Sequence, residues 1–417
     1  MTQPLTGDAL DPSRTSRPPS LWRNRAFNLL WTGQCLSDTG SAMADLALPL
    51  LVFQLTRSPA QAGFVGTVGF AVTMISRLPA GLLVDRFDRR RLMIFCDVFR
   101  LVVYAVLACA VEAGAAGLAV ILAVVAGSAA ATAVFSTAEH AAVRSLVGQD
   151  QIVTAVARNE ARAYGTSLVG PPLGGLLFGL GKALPFFGNA LSFLLSLSAV
   201  LCIRRPLQQP RPATAPSGGG PGGEGLRFVL GSPFLRALLV IAAPLNMAFT
   251  GMIFAMTISL RRSGLSPVLV GLVSMIIAVG GLLGAIAAPA LQRRLRLPTL
   301  ITVICWSTAV LMALSVLVST SIVTAVPLAA ALFLGPTANA ALFGYQAAVT
   351  PDHLQGRVVS LLLLAATSAA ALAPALAGVL LAHVPGRTAM LVFPLLVAAS
   401  ALVATFGRGI RSMSRQP

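Results

Sequence analysis

Long apolar runs, broken by short polar intervals that carry arginines, make up most of this chain. A helix needs about 20 mainly apolar residues to cross the hydrocarbon of a bilayer. Runs of that kind lie at 27–54, 60–83, 92–112, 117–137, 154–180 and 184–203. A second set lies at 234–260, 266–290, 299–318, 322–344, 354–383 and 387–407. The pattern predicts an all-α integral membrane protein of twelve spans, numbered here in chain order.

One stretch breaks the pattern. Residues 204–232 open with RRPLQQPRPATAPSGGGPGGEG, which has almost nothing to bury and the composition of a flexible connector. The expected organisation is a tail over 1–26, a six-helix bundle over 27–203, this linker over 204–232, a second six-helix bundle over 233–407 and a tail over 408–417. The halves also resemble each other. Span 5 contains Gly170-Pro171-Pro172-Leu173-Gly174-Gly175 and span 11 contains Ala373-Pro374-Ala375-Leu376-Ala377-Gly378. Asp150-Gln151-Ile152 and Asp352-His353-Leu354 precede them at matching positions of a six-plus-six repeat. Parallel repeats of this sort build many secondary transporters, with the substrate site between the halves near the midplane.

Composition strengthens the membrane reading. Of 417 residues 56% are hydrophobic and 10% charged, where a soluble domain carries roughly 25% charged residues. The mean hydropathy is +0.84, and 38 glycines let helices approach closely. The net charge of +17 does not form a nucleic-acid patch, because the arginines sit in clusters between spans: Arg86 with Arg89–Arg91, Arg204 with Arg205, Arg293 and Arg294 with Arg296. With the N-terminus inside, the inner segments hold 23 Arg and Lys residues and the outer loops 5, namely Arg57, Lys182, Arg261, Arg262 and Arg387. That count assigns Arg144, Arg158 and Arg162 to the segment after span 4, and Arg77 and Arg100 to span ends. The positive-inside rule then places both termini in the cytoplasm of a multi-pass cell-membrane protein. The N-terminal tail lacks a cleavable signal pattern and is expected to be retained. Five dispersed cysteines without CxxC spacing give neither a metal site nor a disulfide framework, so no metal or cofactor is expected.

Between spans 2 and 3 the sequence reads Gly81-Leu82-Leu83-Val84-Asp85-Arg86-Phe87-Asp88-Arg89-Arg90-Arg91. This resembles the cytoplasmic signature of the major facilitator superfamily, G-x-L-a-D-r-x-G-r-[RK]. Gly81, Leu83, Asp85, Arg86, Arg89 and Arg90 match, and Asp88 stands where the pattern has a second Gly. The resemblance implies the major facilitator fold, alternating access, and a latch made by Gly81, Asp85, Arg86, Arg89 and Arg90 that closes the cytoplasmic side. Gly170-Pro171-x-x-Gly174-Gly175 is similar to the tail of a span-5 signature of drug/proton antiporters, with Thr166 where a Gly is usual. Span 4 departs from those antiporters: it lacks their Arg-x-x-Gln-Gly element and carries Ser128, Thr132, Ser136, Thr137 and Glu139 instead. Asp352-His353-Leu354-Gln355-Gly356-Arg357-Val358-Val359-Ser360, Asn339…Gln346 and Ala47-Leu48-Pro49-Leu50-Leu51-Val52 resemble the macrolide-efflux and enterobactin-exporter-like subgroup.

A carboxylate in the hydrocarbon costs at least about 2.5–3.5 kcal/mol and usually faces a cavity or a partner. Span 1 holds two, Asp38 and Asp45, whose spacing puts them on one helical face about 10 Å apart, with Gln34 one turn below Asp38. Asp38 or Asp45 is the candidate binder of a coupling proton or a cationic substrate, with Gln34 beside them; the alternatives are a static pair with a neighbouring helix, or Asp45 in water at the outer mouth. In span 3, Asp97 and Arg100 are one turn apart and are expected to pair with each other, or with Asp85 and Arg77 around the latch, in its structural support, with Arg100 reaching Asp38 as a further alternative. No span of the second half holds an acid; Asn246, Asn339, Tyr345 and Gln346 are its candidate cavity residues. Met247, Phe249, Met252, Phe254 and Met256 suit either a tolerant apolar pocket or plain helix packing.

The function expected is proton-driven efflux of an amphiphilic small molecule such as an antibiotic, drug or siderophore, by a monomer. The alternatives are a proton-coupled importer in the same fold and, from another class, a non-transporting sensor or scaffold. Enzyme and ATP-driven pump are disfavoured, since the chain has no Gly-Lys-[Ser/Thr] loop and no nucleophile or metal-ligand cluster.

Overall fold

In the computed structural model the described residues are 21–208, 224–294, 297–319, 321–351 and 354–406. Most of both tails, most of the linker and the Asp352-His353 pair therefore lie outside them. The first six long helices are Arg25–Thr56, Pro59–Arg86, Arg89–Glu112, Leu118–Leu146, Ile152–Leu180 and Leu184–Cys202. The other six are Pro233–Arg262, Pro267–Arg294, Leu297–Leu317, Ala325–Val349, Gln355–His383 and Gly386–Phe406. These are spans 1 to 12. A short helix, Glu224–Gly231, precedes span 7, and no strand occurs among the described residues.

Local chemistry sets where several spans begin. Asn24, Ser58, Asp88 and Ser232 each accept a hydrogen bond from a backbone N–H of the first turn, and Pro59 and Pro233 take the first helical position, where no donor is needed. Eleven of the helices are long and apolar enough to cross a membrane. The twelfth, span 5, is as long but carries Arg158, Glu160 and Arg162, and it packs among the others against spans 1 and 8. Span 4 runs on past residue 137 to Leu146, taking Glu139, His140 and Arg144 into the helix.

Both halves use one neighbour scheme. Span 1 packs on spans 5 and 6, span 3 on spans 4 and 6, and span 2 on span 4. Likewise span 7 packs on spans 11 and 12, span 9 on spans 10 and 12, and span 8 on span 10. These are the two six-helix bundles of the major facilitator fold. Exposed apolar residues such as Val102, Val106, Leu191, Leu195, Val310, Leu317, Leu395 and Leu402 lie on spans 3, 6, 9 and 12, the surface a bilayer would cover.

The bundles meet along two seams, span 2 with span 11 and span 5 with span 8. Each seam is a reciprocal pair of Pro-x-x-x-Gly elements. A Cβ at Gly63 would overlap the Pro374 carbonyl, and one at Gly378 the Pro59 carbonyl. In the other seam, Gly175 faces the Pro267 carbonyl and Gly271 the Pro171 carbonyl just as closely. Pro374 leaves span 11 locally short of a backbone bond, and the Ala375 N–H donates across the seam to Thr67 Oγ1 at 3.0 Å. These contacts lie in the half of the molecule away from the clustered arginines. At that far end the Arg262 guanidinium also donates to the Leu381 carbonyl at 2.8 Å and stands over the Phe53 ring at 5.7 Å. At the arginine-rich end spans 2 and 11 part, since nothing lies within 4 Å of where a Cβ at Gly81 would stand. The close contacts between the bundles thus lie at the end away from the arginines, and the arginine-rich end is the looser of the two.

Candidate functional site

The principal cluster joins Asp38, which the sequence singled out, to Arg162 and Glu139, whose pairing the sequence pattern did not reveal. Arg162 of span 5 reaches inward between spans 1 and 4. Its Nε lies 3.0 Å from Asp38 Oδ2, and its Nη1 donates to Glu139 Oε1 at 2.7 Å. Glu139 is buried and Arg162 nearly so, with 6% and 9% of their side chains exposed, while Asp38 is 39% exposed. Span 1 packs on spans 2, 5 and 6 and touches spans 4 and 7, and the Asp38 carboxylate is the member of the cluster most open to its surroundings. Two carboxylates share one guanidinium here, leaving one negative charge in excess when all three are ionised.

Span 5 is held in that register one turn away. The Arg158 guanidinium lies 4.1 Å from the Trp22 ring, 4.7 Å from Trp31 and 5.1 Å from Phe27, and it donates to Asn28 Oδ1 at 3.0 Å. The Trp31 indole N–H donates to the Arg158 carbonyl at 3.1 Å. Both arginines were counted above with the inner charges, although the run at 154–180 contains them; the structure adds their partners, on the segment before span 1 and on spans 1 and 4.

A second, fully buried network lies behind the first. Arg100 pairs with Asp97, as the one-turn spacing predicts, and not with Asp38. Its guanidinium sits between the Phe135 and Phe193 rings, at 4.5 and 4.4 Å. Asp97 Oδ2 accepts from Ser196 Oγ at 2.8 Å, and Ser196 Oγ accepts from Gln34 Nε2 at 2.9 Å. Gln34 is 2% exposed and turned toward span 6, so it does not join the Asp38 face. Gly33 and Gly40 allow this, bringing span 1 against Ala199 and Ser192 of span 6. Ser196→Ala removes one hydrogen bond to a carboxylate and is expected to lower stability by roughly 1.5–3 kcal/mol without altering transport. Thermal unfolding of the purified variant beside a transport assay checks this; a transport loss at unchanged stability would give the network a direct part in coupling.

Asp45 is exposed although Met43, Ala44, Leu46 and Ala47 around it are buried. Among the described residues it has neither an ion pair nor a hydrogen bond. In the second half, Asn246 is exposed and donates to the Ala242 carbonyl of its own helix at 2.9 Å, and Asn339 is exposed. Gln346 is 1% exposed and bonded to Thr350, and Tyr345 packs edge-on against Phe234, so this pair belongs to the inner packing of its bundle and not to a cavity between the halves. Met252, Phe254 and Met256 are likewise in the core; only Met247 and Phe249 of that stripe are partly exposed.

The latch motif divides in two. Asp85 and Arg86 are exposed at the foot of span 2, on the parted side. Arg89 and Arg90 turn into their own bundle: Arg89 Nη1 donates to the carbonyls of Ala141 and Leu207 and to Ser145 Oγ, and Arg90 Nη2 to the Leu201 carbonyl. The span-5 motif also serves two partners. Gly170 and Gly174 lie against span 1 at Ala42 and Met43, while Pro171 and Gly175 form the seam with span 8.

A sequence profile of the family described as transmembrane secretion effector matches residues 17–414. The multidrug efflux pump Tap of Mycobacterium tuberculosis is 29% identical over 360 residues, covering 82% of this chain and 83% of that protein. Tap of Mycolicibacterium fortuitum is 28% identical over 343 residues, covering 78% and 82%. A bacterial homologue of the human lysosomal transporter Spinster, in its inward-facing and occupied conformation, superposes with a TM-score of 0.74 at 16% identity, over 95% of this chain and 98% of that one. At that identity the likeness shows the fold alone.

Proposed function

The chain belongs to the transmembrane secretion effector family of the major facilitator superfamily, and on that premise we propose that it exports an amphiphilic small molecule in exchange for protons moving inward. It is a multi-pass membrane transporter; direction, cargo and coupling are the proposal. The observation that carries it is the Asp38–Arg162–Glu139 cluster. One proton or one cation neutralises its excess negative charge, so binding of either disfavours the other, and exchange requires that competition. Asp38, the half-exposed member of the cluster, takes up the proton. Asp45, farther along the same helix, offers a carboxylate to the cationic end of a substrate.

The positive-inside count makes the arginine-rich end cytoplasmic, so the looser end is the one where an exporter loads. Gly81, Asp85 and Arg86 then close that end as the Pro-x-x-x-Gly seams part, in a monomer of the cell membrane. The efflux pumps among the relatives favour the outward direction.

The test uses everted membrane vesicles whose interior is acidified by respiration, with tetraphenylphosphonium and a panel of antibiotics and siderophores as probes. Accumulation of at least one probe is expected, with discharge when nigericin collapses the pH gradient. Asp38→Asn is expected to lower gradient-driven accumulation about tenfold or more, equivalent to about 1.4 kcal/mol of lost coupling. Asp45→Asn is expected to weaken cationic probes more than neutral ones. Accumulation indifferent to nigericin, or an unchanged pH dependence in Asp38→Asn, would sink the proposal, and probe movement out of the vesicles would mark an importer.

A further inference from the structure

We propose that a hollow at the arginine-rich ends of spans 3 and 4 is a binding site for a phosphate-bearing anion at the membrane surface. The hollow has a volume of about 420 Å³ and is lined by Arg89, Thr137, His140, Ala141, Arg144 and Ser145. Thr137, His140, Ala141 and Arg144 are spaced i, i+3, i+4 and i+7, a single face of span 4. Arg89, the first residue of span 3, closes the other side. Its bonds to the Ala141 and Leu207 carbonyls and to Ser145 Oγ, at 3.1–3.2 Å, hold its guanidinium in place.

The lining is one-sided in charge. It holds two guanidinium groups, an imidazole and two hydroxyls, with no carboxylate among the lining residues. Glu139 does not neutralise it, because it is bound to Arg162 of span 5. Arg144 is exposed and makes no hydrogen bond or ion pair among the described residues. His140 is exposed with Nδ1 held 2.6 Å from the Ser136 carbonyl, which turns Nε2 outward. The end of span 4 gives such an anion no help, since a helix C-terminus is the negative end of the helix dipole. The arginines must supply the attraction, and two of them line the hollow.

Depth suggests the source. Arg89 opens span 3 and Arg144 lies in the last turn of span 4, which is where headgroup phosphates sit when these helices span a bilayer. A lipid headgroup and a soluble phosphate compound share the recognised chemistry, so the experiment separates them. Purified protein in neutral detergent is titrated with phosphatidylglycerol, phosphatidylcholine or inorganic phosphate, and occupancy is read by native mass spectrometry. Phosphatidylglycerol is expected to bind in preference to phosphatidylcholine. Arg144→Gln is expected to weaken it about fivefold, since one basic group near the surface contributes about 1 kcal/mol. Arg144→Gln breaks no internal bond, and His140→Gln serves as a second variant with a smaller loss in the same direction. Inorganic phosphate bound as tightly as phosphatidylglycerol, and weakened by the same variants, would support the anion site with a soluble source. Equal binding of the two lipids, or phosphatidylglycerol binding unchanged in both variants, would overturn the proposal.

Discussion

Arg162→Gln is expected to abolish proton-driven transport and to leave a protein that folds poorly until a second change is made. The substitution strands Glu139, whose side chain is 6% exposed, without a counter-charge in the middle of the bundle. Removing one partner of a buried pair destabilises by roughly 3–5 kcal/mol. The Asp38 arm adds less, because at 39% exposure much of its interaction is already screened by water. Adding Glu139→Gln to Arg162→Gln removes the stranded charge and is expected to restore a monodisperse, thermally stable protein. It does not restore exchange, because the competition between proton and cation for two carboxylates on one guanidinium is gone. Size-exclusion profiles and vesicle transport, measured on both variants, check the two halves of the argument separately. Transport surviving in Arg162→Gln would remove the cluster from the mechanism. Failure of the double variant to recover stability would mean that Arg162 acts through packing.

That cluster was hard to read for a physical reason. The hydrophobic pattern registers apolar length, and it located the twelve long helices, eleven of them apolar enough to cross a membrane, because length is what a bilayer demands of a helix. It cannot register that a charge is neutralised by another helix. Arg158 and Arg162 were counted among the inner charges near the start of span 5, yet their partners are Asp38 and Glu139 and the rings of Trp22, Phe27 and Trp31, more than a hundred residues away in most cases. Helix phase was the other loss. Spans 7 and 10 are apolar nearly all round, so nothing in their sequence says that Met252 and Gln346 face the core while Asn246 faces out. Span 1 was legible only in part: Asp38 and Asp45 are the more exposed acids of that face, but Gln34, nominally beside them, is claimed by Ser196. The seam left a signal that could have been found. Pro-x-x-x-Gly recurs at Pro59/Gly63, Pro171/Gly175, Pro267/Gly271 and Pro374/Gly378, and only the two in spans 5 and 11 stood out as a repeat.

Those seams carry the second large expectation: Gly63→Val and Gly81→Val, on the same helix, should drive the transporter in opposite directions. Both positions lie on the side of span 2 that faces span 11. At Gly63 a side chain would overlap the Pro374 backbone, which cannot move aside as a flexible side chain could. Overpacking of this kind costs about 1–3 kcal/mol or more, enough to shift a two-state equilibrium by roughly tenfold to a hundredfold. Gly63→Val therefore opens the far end and starves the loading state. At Gly81 the same side chain meets nothing in the conformation described, so this state is untouched. It obstructs the approach of span 11 that closure of the arginine-rich end requires, and so traps the transporter open there. Both variants are expected to transport at less than about a tenth of the normal rate, which by itself would not distinguish them from damage. Direction does. With spin labels at Gln61→Cys and His383→Cys, on the far ends of spans 2 and 11 in a background free of the native cysteines, Gly63→Val should lengthen the mean distance. Gly81→Val should hold it at the short value even when substrate is added. A shift of the same sign in both variants would show that these glycines serve general packing, and the two ends of span 2 could then no longer be read as the two gates of one exchange.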